Sequence, residues 1–118
     1  MKFSDNLIEQ KTFDFALQII DAYKQMLSQK EFILSKQLLR SGTSIGANVQ
    51  EAQAAISKRD FTAKMSISSK EARETRYWLL LIKHSDLVNL ETNGLLEEID
   101  QIINILTSII KTSQSRMK

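Results

Sequence analysis

The side chains that most often carry catalysis or bind metals are scarce in this chain. Among its 118 residues there is no cysteine, and His84 is the one histidine. Without cysteine, disulfides, thiolate zinc sites and cysteine nucleophiles are excluded. Leu81, not a glutamate, stands three residues before His84, so the Glu-x-x-His pairs of di-iron helical bundles are missing. We therefore predict no enzyme activity, no metal centre and no cofactor.

Basic residues are more informative because they collect in the middle of the chain. Residues 36–83 carry nine Lys or Arg against four Asp or Glu, whereas the remainder carries seven against ten. Lys58 and Arg59 stand together, and Lys70, Arg73 and Arg76 follow at three-residue intervals. Positions three apart are neighbours on a helix, so the last three form one ridge. All five could bind nucleic-acid phosphates, although an ordinary solvated helix face has the same pattern.

A second polar set combines carboxylates with the single tryptophan. Lys64, Glu71 and Trp78 are spaced by seven and share one helix stripe, with Glu74 beside them. Carboxylates next to a tryptophan could be acids with shifted pKa values. The missing nucleophile and metal ligands favour the alternative, a polar network that fixes helix register. Its predicted members lie on two successive helices: Arg40, Asn48, Glu51, Lys64, Glu71, Glu74 and Trp78.

Two of the three glycines lie in a segment whose pattern predicts a helix. Gly42 and Gly46 are one turn apart within residues 40–52. Glycine destabilises a helix interior by roughly 1 kcal/mol relative to alanine, so the pair calls for a packing reason. Gly-x-x-x-Gly spacing lets another backbone approach closely. We expect both glycines to face a neighbouring helix at short range.

Four amphipathic helices must position these residues. Apolar side chains recur at three- and four-residue steps over about residues 5–28, 31–56, 57–85 and 90–112. The chain has no proline and three glycines, which argues against a turn-rich β protein. Short connections between helices of similar length predict an all-α fold, an antiparallel up-down four-helix bundle, in a single domain over residues 1–118.

The apolar spacing also predicts which residues are buried. Ile56 is placed on the core side of the second helix, and Phe61 opens a heptad pattern in the third. Ser57 and Asp60 have the spacing of a capping box at the start of that helix. The apolar stripes of the first and last helices are wider than one core needs. We expect the surplus to bury against a second copy, although it could instead cover loops or chain ends.

The chain shows no signal for a membrane. No apolar run approaches 18 residues, and the first residues lack a hydrophobic signal region. The sequence therefore predicts a soluble cytoplasmic protein without membrane contact.

Two long motifs resemble those of a known family. Residues 35–52 read Ser-Lys-Gln-Leu-Leu-Arg-Ser-Gly-Thr-Ser-Ile-Gly-Ala-Asn-Val-Gln-Glu-Ala, and residues 70–79 read Lys-Glu-Ala-Arg-Glu-Thr-Arg-Tyr-Trp-Leu. Together with Lys-Arg-Asp-Phe-Thr-Ala-Lys at residues 58–64, they resemble the bacterial four helix bundle protein family, also called the 23S rRNA intervening-sequence proteins. The resemblance spans essentially the whole chain.

The resemblance implies an antiparallel four-helix bundle that assembles as a homopentamer and has no established catalytic residues. The family is similar to the accessory protein of diversity-generating retroelements, a basic pentamer that binds nucleic acid and a reverse transcriptase. We therefore predict a non-enzymatic homo-oligomer that binds RNA or DNA phosphates, with a protein partner as a further expectation. The alternative is a purely structural or protein-interaction oligomer that binds no nucleic acid.

Overall fold

Four helices build the part of the chain that the structure, a computed structural model, describes, namely residues 6–117. They are α1 (Leu7–Ser28), α2 (Leu34–Gln53), α3 (Lys58–Ser85) and α4 (Asn93–Ser115), and residues 6–117 contain no strand. α2 packs against α1 and α3, and α4 completes the ring against α3 and, over a smaller area, α1. The predicted four-helix bundle is confirmed, while the predicted helix start at residue 5 lies outside the described residues.

One apolar core runs along the bundle axis between the four helices. Buried hydroxyls join α3 to α2 inside it: Thr75 donates to Ser41 Oγ at 2.9 Å, and Ser68 donates to the Ile45 carbonyl at 2.9 Å. Burying a large aliphatic or aromatic side chain contributes about 1.5–3 kcal/mol. The largest fully buried side chains come from every helix: Phe15, Ile19, Met26, Leu38, Ile45, Met65, Leu79, Ile82, Ile99, Ile102 and Leu106.

The second helix is shorter than predicted at both ends. It begins at Leu34 instead of residue 31 because the Glu31 carboxylate accepts from the backbone N–H groups of Ile33, Leu34 and Ser35 at 3.1, 3.2 and 2.7 Å. Partial burial alone would raise the pKa of Glu31, but these hydrogen bonds outweigh it and hold the pKa below its ordinary value.

The C-terminal end of α2 corrects the placement of Ile56. The helix ends at Gln53, and Ile56 is 94% exposed in the turn that follows, not packed in the core. Ser57 then caps α3 by accepting from the Asp60 N–H at 3.0 Å. Asp60 accepts in return from the Ile56 N–H at 3.3 Å, one residue earlier than in a standard capping box.

The buried face of α3 begins one residue later than the heptad pattern predicts. Thr62 is buried, whereas Phe61 is only partly buried. The Thr62 hydroxyl lies 2.9 Å from the Lys58 carbonyl and also hydrogen-bonds with the Ser113 hydroxyl of α4, so the polar group is satisfied inside. α4 itself spans Asn93–Ser115, three residues later at each end than predicted.

The exposed apolar residues of the helices follow the predicted surplus stripes only in part, at Leu17 of α1, which is 51% exposed. On α4, residues of the surplus stripe such as Leu96 and Ile110 are partly buried against the core of the same chain. The outward face of α3 instead exposes Ile67, Tyr77 and Leu81, by 41%, 56% and 36%. No helix within residues 6–117 is long and apolar enough to cross a bilayer.

One side chain joins the loop between α1 and α2 to the loop between α3 and α4. The Gln29 amide donates to the Asn89 carbonyl at 2.8 Å and accepts from the Asn89 N–H at 2.7 Å. Each loop also contains one non-glycine residue with positive φ, Lys30 at 63° and Asp86 at 55°. In both loops, a residue in the left-handed αL conformation helps the chain to reverse direction after the preceding helix.

Candidate nucleic-acid interface

All five predicted cationic residues lie on α3, and all five are exposed. Lys58 and Arg59 are the first two residues of the helix. Lys70 lies twelve residues further on, or about 18 Å along the axis at 1.5 Å per residue. The structure therefore separates the predicted set into a pair at the start of α3 and a ridge in its middle.

The ridge of Lys70, Arg73 and Arg76 is not uniform. Arg76 Nε lies 2.8 Å from Asp100 Oδ1 of α4, so a carboxylate offsets its charge. Lys70 and Arg73 form no ion pair with any residue that the structure describes. Two cations of the ridge are therefore available to an external anion, and the third already has a partner.

The opposite side of α3, towards α2, is charge-matched. Arg40 of α2 contacts both Glu71, at 3.2 Å, and Glu74. Trp78 Nε1 donates to Glu74 Oε2 at 2.9 Å, and Gln37 Oε1 lies 3.4 Å from Arg40 Nε. Because the guanidinium and the indole both bind the Glu74 carboxylate, that side chain is held from two directions. The arrangement joins α2 to α3 and leaves no carboxylate free as a general base there.

The remaining members of the predicted network form separate contacts. Lys64 of α3 pairs with Glu51 of α2 at 3.5 Å. Asn48 is not brought into this group, because its Nδ2 donates to the Ser44 carbonyl of its own helix at 2.8 Å. The predicted network is therefore two separate contacts between α2 and α3, an ion pair at Lys64 and the group around Glu71 about two turns further along α3.

Gly42 and Gly46 both face α1. A Cβ atom added at Gly42 would lie 2.8 Å from Cγ1 and Cγ2 of Ile19, which is fully buried. At Gly46 it would lie 3.3 Å from the Thr12 carbonyl oxygen. The missing side chains let α1 and α2 approach closely, most tightly at Gly42.

The described residues offer no alternative metal chemistry. Among residues 6–117, no three His, Asp or Glu side chains are grouped so that they could hold a metal ion.

Comparison with known sequences identifies the family. Residues 4–108 match the family model described as 23S rRNA-intervening sequence protein. The chain belongs to this family. It is similar to the crystal structure of a protein of unknown function from the S23 ribosomal protein family of Bacteroides thetaiotaomicron VPI-5482, with 44% identity and a TM-score of 0.85. The similarity covers 89% of this chain and 99% of that one. No curated protein sequence matches the chain.

The protein also has a cleft that the sequence analysis did not predict. The cleft lies between the start of α3 and the end of α4 and has a volume of about 490 Å³. Near the end of α4, hydroxyl residues replace aliphatic ones, and this break in the apolar pattern is the sequence signal that could have indicated the cleft. Its lining consists of Lys58, Phe61, Ser108, Ile109, Thr112, Ser113 and Arg116, of which the last four lie beyond the segment that matches the family.

Proposed function

We propose that this protein is a non-enzymatic cytoplasmic scaffold, a homo-oligomer that binds RNA or DNA phosphates along α3. The observation that supports it is the contrast in pairing between cations. Arg40 and Lys64 are matched by carboxylates, whereas Lys70 and Arg73 are exposed and form no ion pair within residues 6–117. Unpaired surface cations are what phosphate binding with counterion release requires.

Binding of this kind tolerates different sequences. Phosphate contacts position a protein on nucleic acid without reading bases, and long flexible lysine and arginine side chains suit them. In a homo-oligomer, for which the resemblance favours a pentamer, the ridge would recur on each copy. Repeated weak sites on one body then gain through effective concentration.

A salt titration tests the proposal. Binding to a mixed-sequence RNA duplex and a DNA duplex is followed by fluorescence anisotropy for the parent and for a Lys70→Glu, Arg73→Glu variant. The control, Lys24→Glu with Lys36→Glu, makes the same charge change at exposed positions of α1 and α2. On duplex DNA, the log–log salt slope is expected to become shallower by about 0.9 for each phosphate that the variant no longer binds.

The outcomes separate the possible sites. Weakened binding with a reduced slope in the ridge variant alone supports the proposal. Equal losses in both variants would mean that net charge, not the ridge, attracts the nucleic acid. Full binding by the ridge variant would mean that the phosphates bind elsewhere, and Lys58 and Arg59 would be tested next. If the parent binds no nucleic acid at about 50 mM salt, the proposed function is refuted.

A second candidate function, a protein-interaction oligomer, is favoured by the exposed apolar residues of α3. Ile67, Tyr77 and Leu81 lie on its outward face with Lys70 among them, so an interface there would compete with phosphate for Lys70. Sedimentation equilibrium of the parent and of an Ile67→Lys, Leu81→Lys variant tests this, with Leu17→Lys on α1 as control. We expect only the double variant to dissociate; a monomeric parent at micromolar concentration would refute oligomerisation.

A further inference from the structure

The cleft between α3 and α4 combines an apolar floor with two cations. Phe61 and Ile109 are partly buried against the core and form part of its lining. Lys58, the first residue of α3, lies on one side, and Arg116, which directly follows α4, lies on the other. Among residues 6–117, no carboxylate lines the cleft. Its volume of about 490 Å³ falls within the range of small-ligand sites.

Two of the hydroxyls in the cleft differ from most others in the bundle. Thr12, Ser41 and Thr43 each donate to the carbonyl one turn earlier in their own helix. By contrast, the hydroxyls of Ser108 and Thr112 make no hydrogen bond with any described residue. They are therefore open to a polar ligand, next to a positive charge on each side.

These features select the chemistry of the occupant. Two cations exceed what a single carboxylate needs, whereas a phosphate monoester carries a charge of about −1.5 to −2 at neutral pH. An aromatic ring beside an aliphatic side chain suits a flat, weakly polar group, and bases stack on aromatic side chains without sequence preference. One small molecule that unites both parts is a nucleotide.

We propose that the cleft binds a single unpaired nucleotide, with its base against Phe61 and Ile109 and its phosphate between Lys58 and Arg116. This inference goes beyond the proposed function, since phosphate binding by Lys70 and Arg73 involves neither the cleft nor a base. A free mononucleotide and the phosphorylated end of a single strand share this chemistry.

Calorimetry with three probes tests the site. AMP is expected to bind at least about tenfold more tightly than adenosine or inorganic phosphate, because only AMP fills both halves. Arg116→Glu should weaken AMP binding by about tenfold or more, since it places an anion beside the phosphate. Lys111→Glu, an exposed charge change on the same helix outside the cleft, should change it less than about twofold.

A conservative variant separates the base from the phosphate. Phe61→Leu keeps an apolar side chain at this partly buried position, so circular dichroism should show an intact bundle. It should weaken AMP binding several-fold and leave inorganic phosphate binding unchanged. Equal binding of AMP and adenosine, equal binding of AMP and phosphate, or an unaffected Arg116→Glu variant would each overturn the proposal.

Two further arms distinguish the sources and the functions. Tighter binding of a 5′-phosphorylated single-stranded tetranucleotide than of AMP would identify a strand end, and equal binding would identify the free nucleotide; both support the cleft. The Lys70→Glu, Arg73→Glu variant should retain AMP binding. If the parent binds AMP but no duplex, the proposed function fails and the cleft stands, whereas duplex binding without AMP binding refutes the cleft alone.

Discussion

Similar charged residues have different roles around α2 and along the contact between α3 and α4, which we call the α3–α4 seam. Around α2, Arg40 meets two carboxylates, Glu71 and Glu74, and glycines bring α1 close. Along the α3–α4 seam, an exposed pair joins Arg76 to Asp100, and the seam opens into a cleft that no carboxylate of the described residues lines. A cation's partner, not its position on an amphipathic helix, therefore decides whether it holds the bundle together or faces outward.

The largest effect should come from filling the space at Gly42. Gly42→Leu drives a side chain into the fully buried Ile19 and should lower the free energy of unfolding by about 3 kcal/mol, the upper end for overpacking. Urea denaturation at fixed protein concentration measures it. The same change at Gly94, where an added Cβ meets nothing within 4 Å, should be neutral or slightly stabilising. Similar losses at both positions would contradict the tight α1–α2 contact.

Removing the charge of Glu74 should have the next largest effect. Glu74→Gln keeps the side-chain volume but weakens the contacts with Arg40 and Trp78. Since hydrogen bonds to charged groups contribute more than neutral ones but these groups are partly exposed, we expect a loss of about 1–2 kcal/mol. Urea denaturation compared with a Gln37→Ala variant, which removes a longer contact to the same arginine, measures it. No loss would show that the α2–α3 side is as loosely held as the α3–α4 seam.

The cap at the start of α2 should make stability depend on pH. Because the pKa of Glu31 is lowered on folding, its contribution is fully present above its ordinary value of 4.5 and is lost as pH falls through the lower folded pKa. Glu31→Gln should cost about 1 kcal/mol near neutral pH. The difference in the free energy of unfolding between parent and variant, followed by urea denaturation, should close as the pH falls below 4.5.

A matched variant at the start of α4 provides the control for Glu31. Glu91 accepts one backbone N–H bond, from Asn93 at 2.8 Å, where Glu31 accepts three. Glu91→Gln should therefore cost less at neutral pH. A gap between parent and Glu31→Gln that stays constant with pH would show that the Glu31 charge does not support the helix start.

The smallest stability effect, but an informative one, is expected at Asp100. Asp100→Asn breaks an exposed ion pair and should change the free energy of unfolding by less than about 0.5 kcal/mol. It also frees Arg76 to join Lys70 and Arg73, so affinity for duplex DNA should rise and the salt slope should steepen by about 0.9. Unchanged binding would place Arg76 outside the phosphate-binding ridge.

Much of the fold could be predicted because apolar periodicity extends over whole helices. The errors lie at helix ends, where one side chain decides the outcome. The Glu31 side chain binds the first backbone N–H groups of α2, so the helix begins after Glu31 and not at it. At its other end, α2 stops early and leaves Ile56 in a turn. At the start of α3, a hydrogen bond between Thr62 and Ser113 buries a threonine where the pattern predicts Phe61. The Thr62–Ser113 pair joins residues that are 51 apart in sequence, and apolar periodicity does not detect such a contact.

The candidate site was less predictable for the same reason. The positions of the five cations on α3 follow from their spacing, but their pairing depends on how neighbouring helices are rotated. Asp100, 24 residues from Arg76, and Arg40, 31 residues from Glu71, meet their partners only in the folded bundle. The cleft likewise exists only in the folded bundle, where the start of α3 and the end of α4 come together.

The two-bonded contact of Gln29 with Asn89 has a consequence for how the molecule opens. The Gln29 amide donates to and accepts from the backbone of one residue, as a neighbouring β-strand would, and it couples two loops 60 residues apart in sequence. We expect the two loops to lose protection from hydrogen exchange together, as one cooperative unit. Gln29→Ala would then loosen both loops at once, and local opening of the bundle would begin at the end where these loops lie.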